Sequence, residues 1–273
     1  MKVIALGMGV QSTALYLMSS MRLFERADCA IFSDPMSEHP DTYKTVEWLL
    51  KWSKECADSV PIHIVEKDLA KDLLEPRRMT TRPDEYFFPA LPTFYKNKAG
   101  GDAIGQRHCT GMYKIDPVAK KIRELHGLKP RQRMKPTEIW LGITIDEAQR
   151  MKDNPNSNMT NRYPFMEMMM SRSDCMRWYK DNGFPVPERS SCVFCPYHSN
   201  SEWVKIKKDK PSWDRVVAID KSLRNREGRN FEQGRFHAYL HPSMKPINEV
   251  DFNEDQMDLF DGFGNECEGH CGL

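Results

Sequence analysis

No stretch of this chain approaches the roughly 18 consecutive apolar residues that a membrane-spanning helix needs, so neither a helical span nor a membrane partner is expected. A basic region leading into a long apolar run is missing from the start, and without that secretion pattern the cytoplasm is the expected compartment. The first glycine turn is not followed by Gly-Lys-Ser or Gly-Lys-Thr, which excludes a Walker phosphate loop. Lys and Arg are absent from residues 249–273, where Glu249, Asp251, Glu254, Asp255, Asp258, Asp261, Glu266 and Glu268 put −8 against +9 on the rest, although the net charge is only +1. A body that basic suits a phosphorylated ligand or a nucleic acid, or else is a solvated surface that the acidic segment balances.

The 273 residues, 40% of them apolar with 15 Gly and 18 Pro, can bury one large core or a core and an appendage. The 17 Met exceed the usual share and suit irregular gaps. Eight cysteines in a chain expected in the cytoplasm read as metal or redox chemistry rather than disulfides. Cys29 falls in a core strand, Cys56 late on a helix and Cys175 on another helix, all structural positions. The others are differently placed: Cys192-Val-Phe-Cys195 is a ligand-type pair, Cys267 and Cys271 form a second pair, and Cys109 stands in a basic loop.

The chain is organised around Val3 to Thr13. Val3-Ile4-Ala5-Leu6 is a short buried-strand run, Gly7-Met8-Gly9 a turn, and Ala14, Leu17, Met18 and Met21 a helical stripe. Gly7 and Gly9 let an anion approach the backbone at the positive end of that helix, where Gln11, Ser12 and Thr13 add side-chain contacts. A tight turn with nothing bound is the plainer alternative. Cys29-Ala30-Ile31-Phe32 is the next strand and delivers Asp34 at its carboxyl end, the ligand side of open α/β sheets. Glu38 to Thr42 announces a helix with Val46, Leu49 and Leu50 on its buried face, and Pro61 to Val65 is a third strand. Alternation of this kind implies a parallel, doubly wound sheet covered by helices.

Periodicity fails over 68–108, where Arg77, Arg78 and Arg82 interleave with Tyr86, Phe87, Phe88, Phe94 and Tyr95; such an excursion either holds a flexible polyanion or simply packs. Asp116 and Pro117 predict a helix start, closed by Gly127. Arg107, His108 and Lys114 around Cys109 favour a thiolate. Glu138 to Thr144 is a further strand, followed by Asp146, Glu147 and Arg150 and then an Asn-rich loop from Lys152 to Asn161; Asp174 caps a helix through Trp178 and Tyr179. The helix-rich Ser201–Leu223 region reads as an amphipathic cover. The expected division is an α/β domain over 1–165, a helical part over 166–248 bearing the Cys-x-x-Cys knuckle, and the acidic segment 249–273. Cys109, Cys192, Cys195 and one cysteine of that segment make a four-sulfur set compatible with a [4Fe–4S] cluster or tetrahedral zinc.

The order of these motifs resembles the adenine nucleotide α-hydrolase-like superfamily (the PP-loop fold) and, within it, the sulfonucleotide reductases acting on 3′-phosphoadenylyl sulfate (PAPS) or adenylyl sulfate (APS). Gly7 to Ser12 is similar to their phosphate loop. Asp34 and Glu38-His39-Pro40-Asp41-Thr42-Tyr43 are similar to their Asp-Thr-Gly and Pro-Glu-Thr-Tyr elements, with Pro35 and Met36 replacing Thr-Gly. His108-Cys109 before Tyr113-Lys114-Ile115-Asp116-Pro117 resembles Cys-Cys before Arg-Lys-Val-x-Pro. Gly142 to Arg150, Arg162-Tyr163-Pro164-Phe165, and Cys192 with Cys195 echo three later elements, and Glu266-Cys267 with Cys271-Gly272-Leu273 echo a mobile Glu-Cys-Gly-Leu-His tail. Three departures stand out: His108 replaces the first paired cysteine, Gly142-Ile143-Thr144 lacks an arginine, and Gln11 replaces the Asp of ATP pyrophosphatases.

The resemblance implies an adenylyl nucleotide (PAPS, APS or ATP) held by Gly7, Gly9, Gln11, Ser12, Thr13, Asp34, Gly142 and Arg107, with Lys114 and Arg150 neutralising charge on it. Cys267 is implied as the nucleophile, and Cys109, Cys192, Cys195 and Cys271 as cluster ligands, with a thioredoxin-like reductant resolving the product. Two other readings stay open. One is a sulfurtransferase that adenylylates tRNA or DNA with ATP and Mg²⁺ and takes sulfur from a donor. The other is a non-catalytic nucleic-acid-binding module stabilised by zinc.

Overall fold

The computed structural model describes residues 1–75, 77–78, 86–87, 91–97, 99–224 and 237–252, with backbone alone at 77–78 and 86–87. Strands β1 (Lys2–Ala5), β2 (Cys29–Asp34) and β3 (Ile62–Glu66) alternate with helices α1 (Val10–Ser20) and α2 (Pro40–Glu55). After β3 come α3 (Leu69–Leu74) and two small antiparallel pairs, β4 (Arg77–Arg78) with β5 (Tyr86–Phe87) and β6 (Phe94–Lys96) with β7 (Asp102–Ile104). The next helical stretch joins α4 (His108–Thr110), a π-helical turn at Gly111–Ile115 and α5 (Asp116–Leu125). Strand β8 (Thr137–Trp140), a 3-10 turn at Ile145–Arg150 and strand β9 (Met159–Arg162) complete the main sheet, followed by α6 (Pro164–Glu167), α7 (Arg172–Asp181), α8 (Asn200–Lys208) and α9 (Lys210–Arg224).

The main sheet has five strands in the order β3-β2-β1-β8-β9, every neighbouring pair parallel. The expected α/β class with a doubly wound parallel sheet is therefore present, in a Rossmann-like arrangement. Successive side chains on a strand face opposite ways, so Ile4, Ala30, Phe32 and Trp140 pack under α1, α2 and α7, while Val3, Cys29, Ile31 and Ile139 pack under α5. Burial pushes the Cys29 thiol up to about 11, in keeping with a structural place in the strand. Because β1 leads outward to β2 on one side and β8 lies on the other, the strand order reverses between β1 and β8, the position where open α/β sheets form their ligand crevice.

A second core gathers Leu69 and Leu73 of α3, Leu91, Tyr113, the knuckle residues Val193 and Phe194, and Trp203, Ile206, Val216 and Ile219 of α8 and α9. The excursion is thus anchored to the helices from the later part of the chain, and Asp68 caps α3 by accepting from the Lys71 amide at 2.8 Å. Helix α7 belongs instead with the sheet, since its Cys175 and Tyr179 lie in the first core.

Three expectations about elements are corrected. Helix α5 does not begin at an Asp116 cap: the helical run starts at His108 and passes through the π turn, where the Asp116 amide donates to the Gly111 carbonyl. Pro117 has no N–H, so it can serve neither the Tyr113 carbonyl four residues back nor the Met112 carbonyl five back. Ser33 Oγ donates to the first at 2.7 Å and Lys67 Nζ to the second at 2.7 Å, which docks this run on the ends of β2 and β3. Helix α7 is capped by Ser171, with Asp174 as the reciprocal partner in a capping box. Finally, Met159–Arg162, expected to straddle the end of a loop, is the edge strand β9.

Candidate functional site at the carboxyl edge of the sheet

The turn from β1 into α1 is held from within. The Gly7 amide donates to Ser12 Oγ at 3.1 Å, Met8 adopts a left-handed φ of 61° while fully buried, and Gly9 occupies the N-cap position of α1 without a side-chain cap. The first intrahelical bond runs from Thr13 N to Gly9 O at 3.1 Å, so the amides of Val10, Gln11 and Ser12 point out of the helix with no acceptor of its own. Gly142, just beyond β8, faces this turn so closely that a Cβ there would stand 2.8 Å from Ser12 N and 2.9 Å from the Gln11 carbonyl carbon. Only glycine permits that approach.

Gln11, Ser12 and Thr13 are all fully buried. Gln11 Nε2 donates to Glu147 Oε2 at 2.8 Å, Arg172 Nη1 donates to Gln11 Oε1 at 2.7 Å, and Arg150 Nη1 pairs with Glu147 Oε1 at 2.7 Å. The expected Gln11 and Arg150 are thereby brought together, with Glu147 and Arg172 between and beside them. Thr13 Oγ1 and Thr144 Oγ1, both at 0% exposure, have no hydrogen-bond partner, and the same is true of Ser37 Oγ and Thr42 Oγ1. These four residues follow the carboxyl ends of β1, β8 and β2 respectively. Every Ser or Thr hydroxyl that is buried and unpartnered among the described residues lies on this edge.

Asp34 stands at the end of β2, with Oδ1 accepting from the Met36 amide at 2.7 Å and from Tyr43 Oη at 3.0 Å. Burial raises its carboxyl above the usual carboxylate range, against the downward pull of those two donors. Burial and the neighbouring Asp34 raise the Tyr43 phenol in turn. Beyond Met36, itself left-handed at φ 54°, the chain binds the cysteine knuckle: the Val193 amide donates to Ser37 O at 2.8 Å, His39 N to Ser191 O at 3.1 Å, and Glu38 forms an antiparallel bridge with Cys192. Lys114, expected to neutralise an anionic ligand, donates its Nζ to the buried Glu38 carboxylate at 2.8 Å, which also accepts from Ser190 Oγ at 3.0 Å. Lys114 therefore fastens the π turn to the knuckle.

The knuckle is a turn closed by Cys195 N donating to Cys192 O at 2.9 Å, with a ring nitrogen of His198 2.9 Å from the same carbonyl. Arg107 stacks on Tyr197 at 5.4 Å. Burial raises the Tyr197 phenol, Arg107 lowers it, and both Cys195 and Cys109 add to the rise, so both thiols lie within electrostatic reach of this ring. Cys109 and Cys192 also pack on the second core together. The knuckle is tied to residues 37–39, just after β2, and so lies on the same edge as the glycine turn.

Whether these residues fit the implied metal centre can be judged from the donor set. Among the described residues no group of three or more His, Cys, Asp or Glu is disposed to hold a metal ion. Of the expected ligands, Cys109 and Cys192 pack against the second core and Cys195 closes the knuckle turn, while Cys267 and Cys271 lie outside the described residues.

Of the groups that sequence reasoning did not select, Thr144, Ser37 and Thr42 carried no signal, since hydroxyls at strand ends and helix starts are common. Glu38 stood in a helix-entry run and Glu147 beside Arg150, but their pairing partners are 76 and 136 residues away, at Lys114 and Gln11. No described helix is long and apolar enough to cross a membrane. No protein-family model matches the chain. Over 211 residues, 74% of this chain and 67% of the other, it is 27% identical to the uncharacterized nin region protein ORF290 of Escherichia phage lambda.

Proposed function

We propose that this protein is a PP-loop enzyme of sulfur chemistry that binds an adenylyl nucleotide at the carboxyl edge of its sheet, as its resemblance to the PAPS and APS reductases implies. The observation that carries the reading is the set of four buried hydroxyls without partners at Thr13, Ser37, Thr42 and Thr144, gathered where the first-turn amides of α1 have no intrahelical acceptors. Leaving a buried hydroxyl unpaired costs about 1–3 kcal/mol, and a polar ligand removes that cost. The ligand's phosphate sits at the Gly7–Thr13 turn, where helix polarity and outward amides favour negative charge. Arg150 and Arg172, held in place through Glu147 and Gln11, set the positive field across the crevice. Asp34 faces the nucleoside side.

Sulfur chemistry is supported by the placing of Cys109 and the Cys192–Cys195 knuckle on one core, with the knuckle tied to the same edge through residues 37–39. In the reductive version a cysteine thiolate, assigned to Cys267 by resemblance, attacks the sulfur of the sulfonucleotide and expels the nucleotide, and a dithiol partner resolves the product. Gln11 favours this version over ATP-dependent thiolation of tRNA or DNA, because a neutral amide fixed between Arg172 and Glu147 stands where the resemblance puts the Asp of ATP pyrophosphatases. The test is anaerobic incubation with adenylyl sulfate or its 3′-phosphorylated form in the presence of a dithiol reductant, and, separately, with ATP, Mg²⁺, a sulfide donor and tRNA. Sulfite and the free nucleotide from either sulfonucleotide are expected. Pyrophosphate and AMP from ATP with tRNA would move the assignment to the sulfurtransferase, and no product with any of them would refute the enzyme.

A further inference from the structure

At the opposite edge of the sheet lies a charged face that the nucleotide site does not use. Residues 120–135, from the middle of α5 to just before β8, hold seven Lys and Arg against one carboxylate, Glu124. Glu124 pairs with Lys121 at 2.7 Å. Lys120, Lys129, Arg131, Arg133 and Lys135 are exposed, and among the described residues none of the five forms an ion pair, although Lys120 helps Lys121 lower the Glu124 carboxyl. Arg133 only reaches Asn158 Oδ1 at 3.3 Å and Lys135 the His126 carbonyl at 3.5 Å.

The segment is built rather than loose. Arg123 Nη2 donates to the carbonyls of Lys129 and Gln132 at 3.1 and 2.9 Å, and the Lys129 amide donates to Gln132 Oε1 at 2.7 Å. Arg131 is held left-handed at φ 68° on top of that turn. Like charges so concentrated repel one another, and a polyanion relieves the repulsion while releasing its own counterions. No Phe, Trp or Tyr lies between residues 114 and 139, so there is no platform on which unpaired bases would stack, and Leu125 is the one large apolar residue of the segment that is exposed. Those features disfavour single strands and an apolar lipid surface.

We propose that residues 120–135 form a docking face for the sugar–phosphate backbone of double-stranded nucleic acid, read without regard to sequence. It lies ahead of the amino end of β8, whereas the crevice follows the carboxyl ends of the strands, so the face tethers the protein to a duplex and leaves the nucleotide site open. The proposal does not depend on the nucleotide reading.

Fluorescence anisotropy of the full chain with a labelled duplex of about 20 base pairs, titrated from 50 to 200 mM salt, tests it. Five phosphate contacts give a slope of about −4.5 in log K against log salt, a weakening of roughly 500-fold over that range. Replacing Lys129→Glu, Arg131→Glu and Arg133→Glu together should abolish detectable binding, and Lys129→Ala, Arg131→Ala and Arg133→Ala should bring the slope to about −1.8. Thermal melts of both variants check that they remain folded. Reversal of the exposed Lys207 and Lys208 on α8 and Lys210 at the start of α9 should leave the slope unchanged. Wild-type binding by the reversed Lys129, Arg131 and Arg133 variant would overturn the proposal. So would tighter binding to a single strand of the same length, equal affinity for vesicles of phosphatidylserine and phosphatidylcholine, or no binding at 50 mM salt.

Discussion

Thr13 and Thr144 each bury a hydroxyl that the free protein does not satisfy, which gives their replacement opposite effects on folding and on binding. Thr13→Val or Thr144→Val removes an unpaired polar atom while keeping the shape, so thermal denaturation should show stability unchanged or raised by up to about 1 kcal/mol. Isothermal titration with adenylyl sulfate should show affinity lower by about tenfold or more for each, the loss of one hydrogen bond to a charged group. A destabilised valine variant with normal affinity would make these hydroxyls structural. Gly142 makes a different demand. With a Cβ 2.8 Å from Ser12 N, Gly142→Ala must push the end of β8 away from the α1 turn, costing about 1–3 kcal/mol of stability in denaturant titration and nearly all nucleotide affinity. An alanine variant that binds normally would show that the turn is not part of the crevice.

At the scale of elements, the first turn of α2 ties the sheet to the later helices. Hydrogen bonds from Lys44 and from Lys205 of α8 hold the Asp41 carboxyl down at about 2, below its usual value near 3.8. A depressed carboxyl stabilises the fold above its unfolded pKa and loses that contribution as pH falls through the folded one. Stability measured by urea unfolding should therefore drop between about pH 4 and pH 2, and Asp41→Asn should flatten that part of the profile while leaving slopes above pH 5 alone. An unchanged profile would show that Lys44 and Lys205 do not hold this carboxylate in solution. Elements were readable in the sequence where one local pattern decided them: Val3–Leu6 into Gly7, Cys29–Asp34, and the Pro40 helix entry. The run from His108 to Leu125 was not, because Pro117 looks like a helix start unless distant Ser33 and Lys67 are known to satisfy the carbonyls it strips. Strand β9 escaped notice because an edge strand of Met, Thr, Asn and Arg lacks the apolar run that marks an interior one.

At the scale of the whole molecule, the reversal of strand order between β1 and β8 puts three distant segments on one edge: the Gly7–Thr13 turn, the Asp34–Tyr43 entry to α2, and the Thr144–Arg150 turn. Their positions at strand ends were legible, as was the class of sheet, since alternation of strand and helix dictates it. The partners of Gln11, Glu38 and Lys114 were not, because contacts between residues 76 to 161 positions apart leave no local trace. The measurement that tests the central claim most directly is amide hydrogen exchange of the anaerobic protein with and without saturating adenylyl sulfate. The account predicts slowed exchange at residues 9–13 and 142–146, with residues 126–136 unchanged. Unaltered exchange at residues 9–13, or protection confined to 126–136, would contradict it.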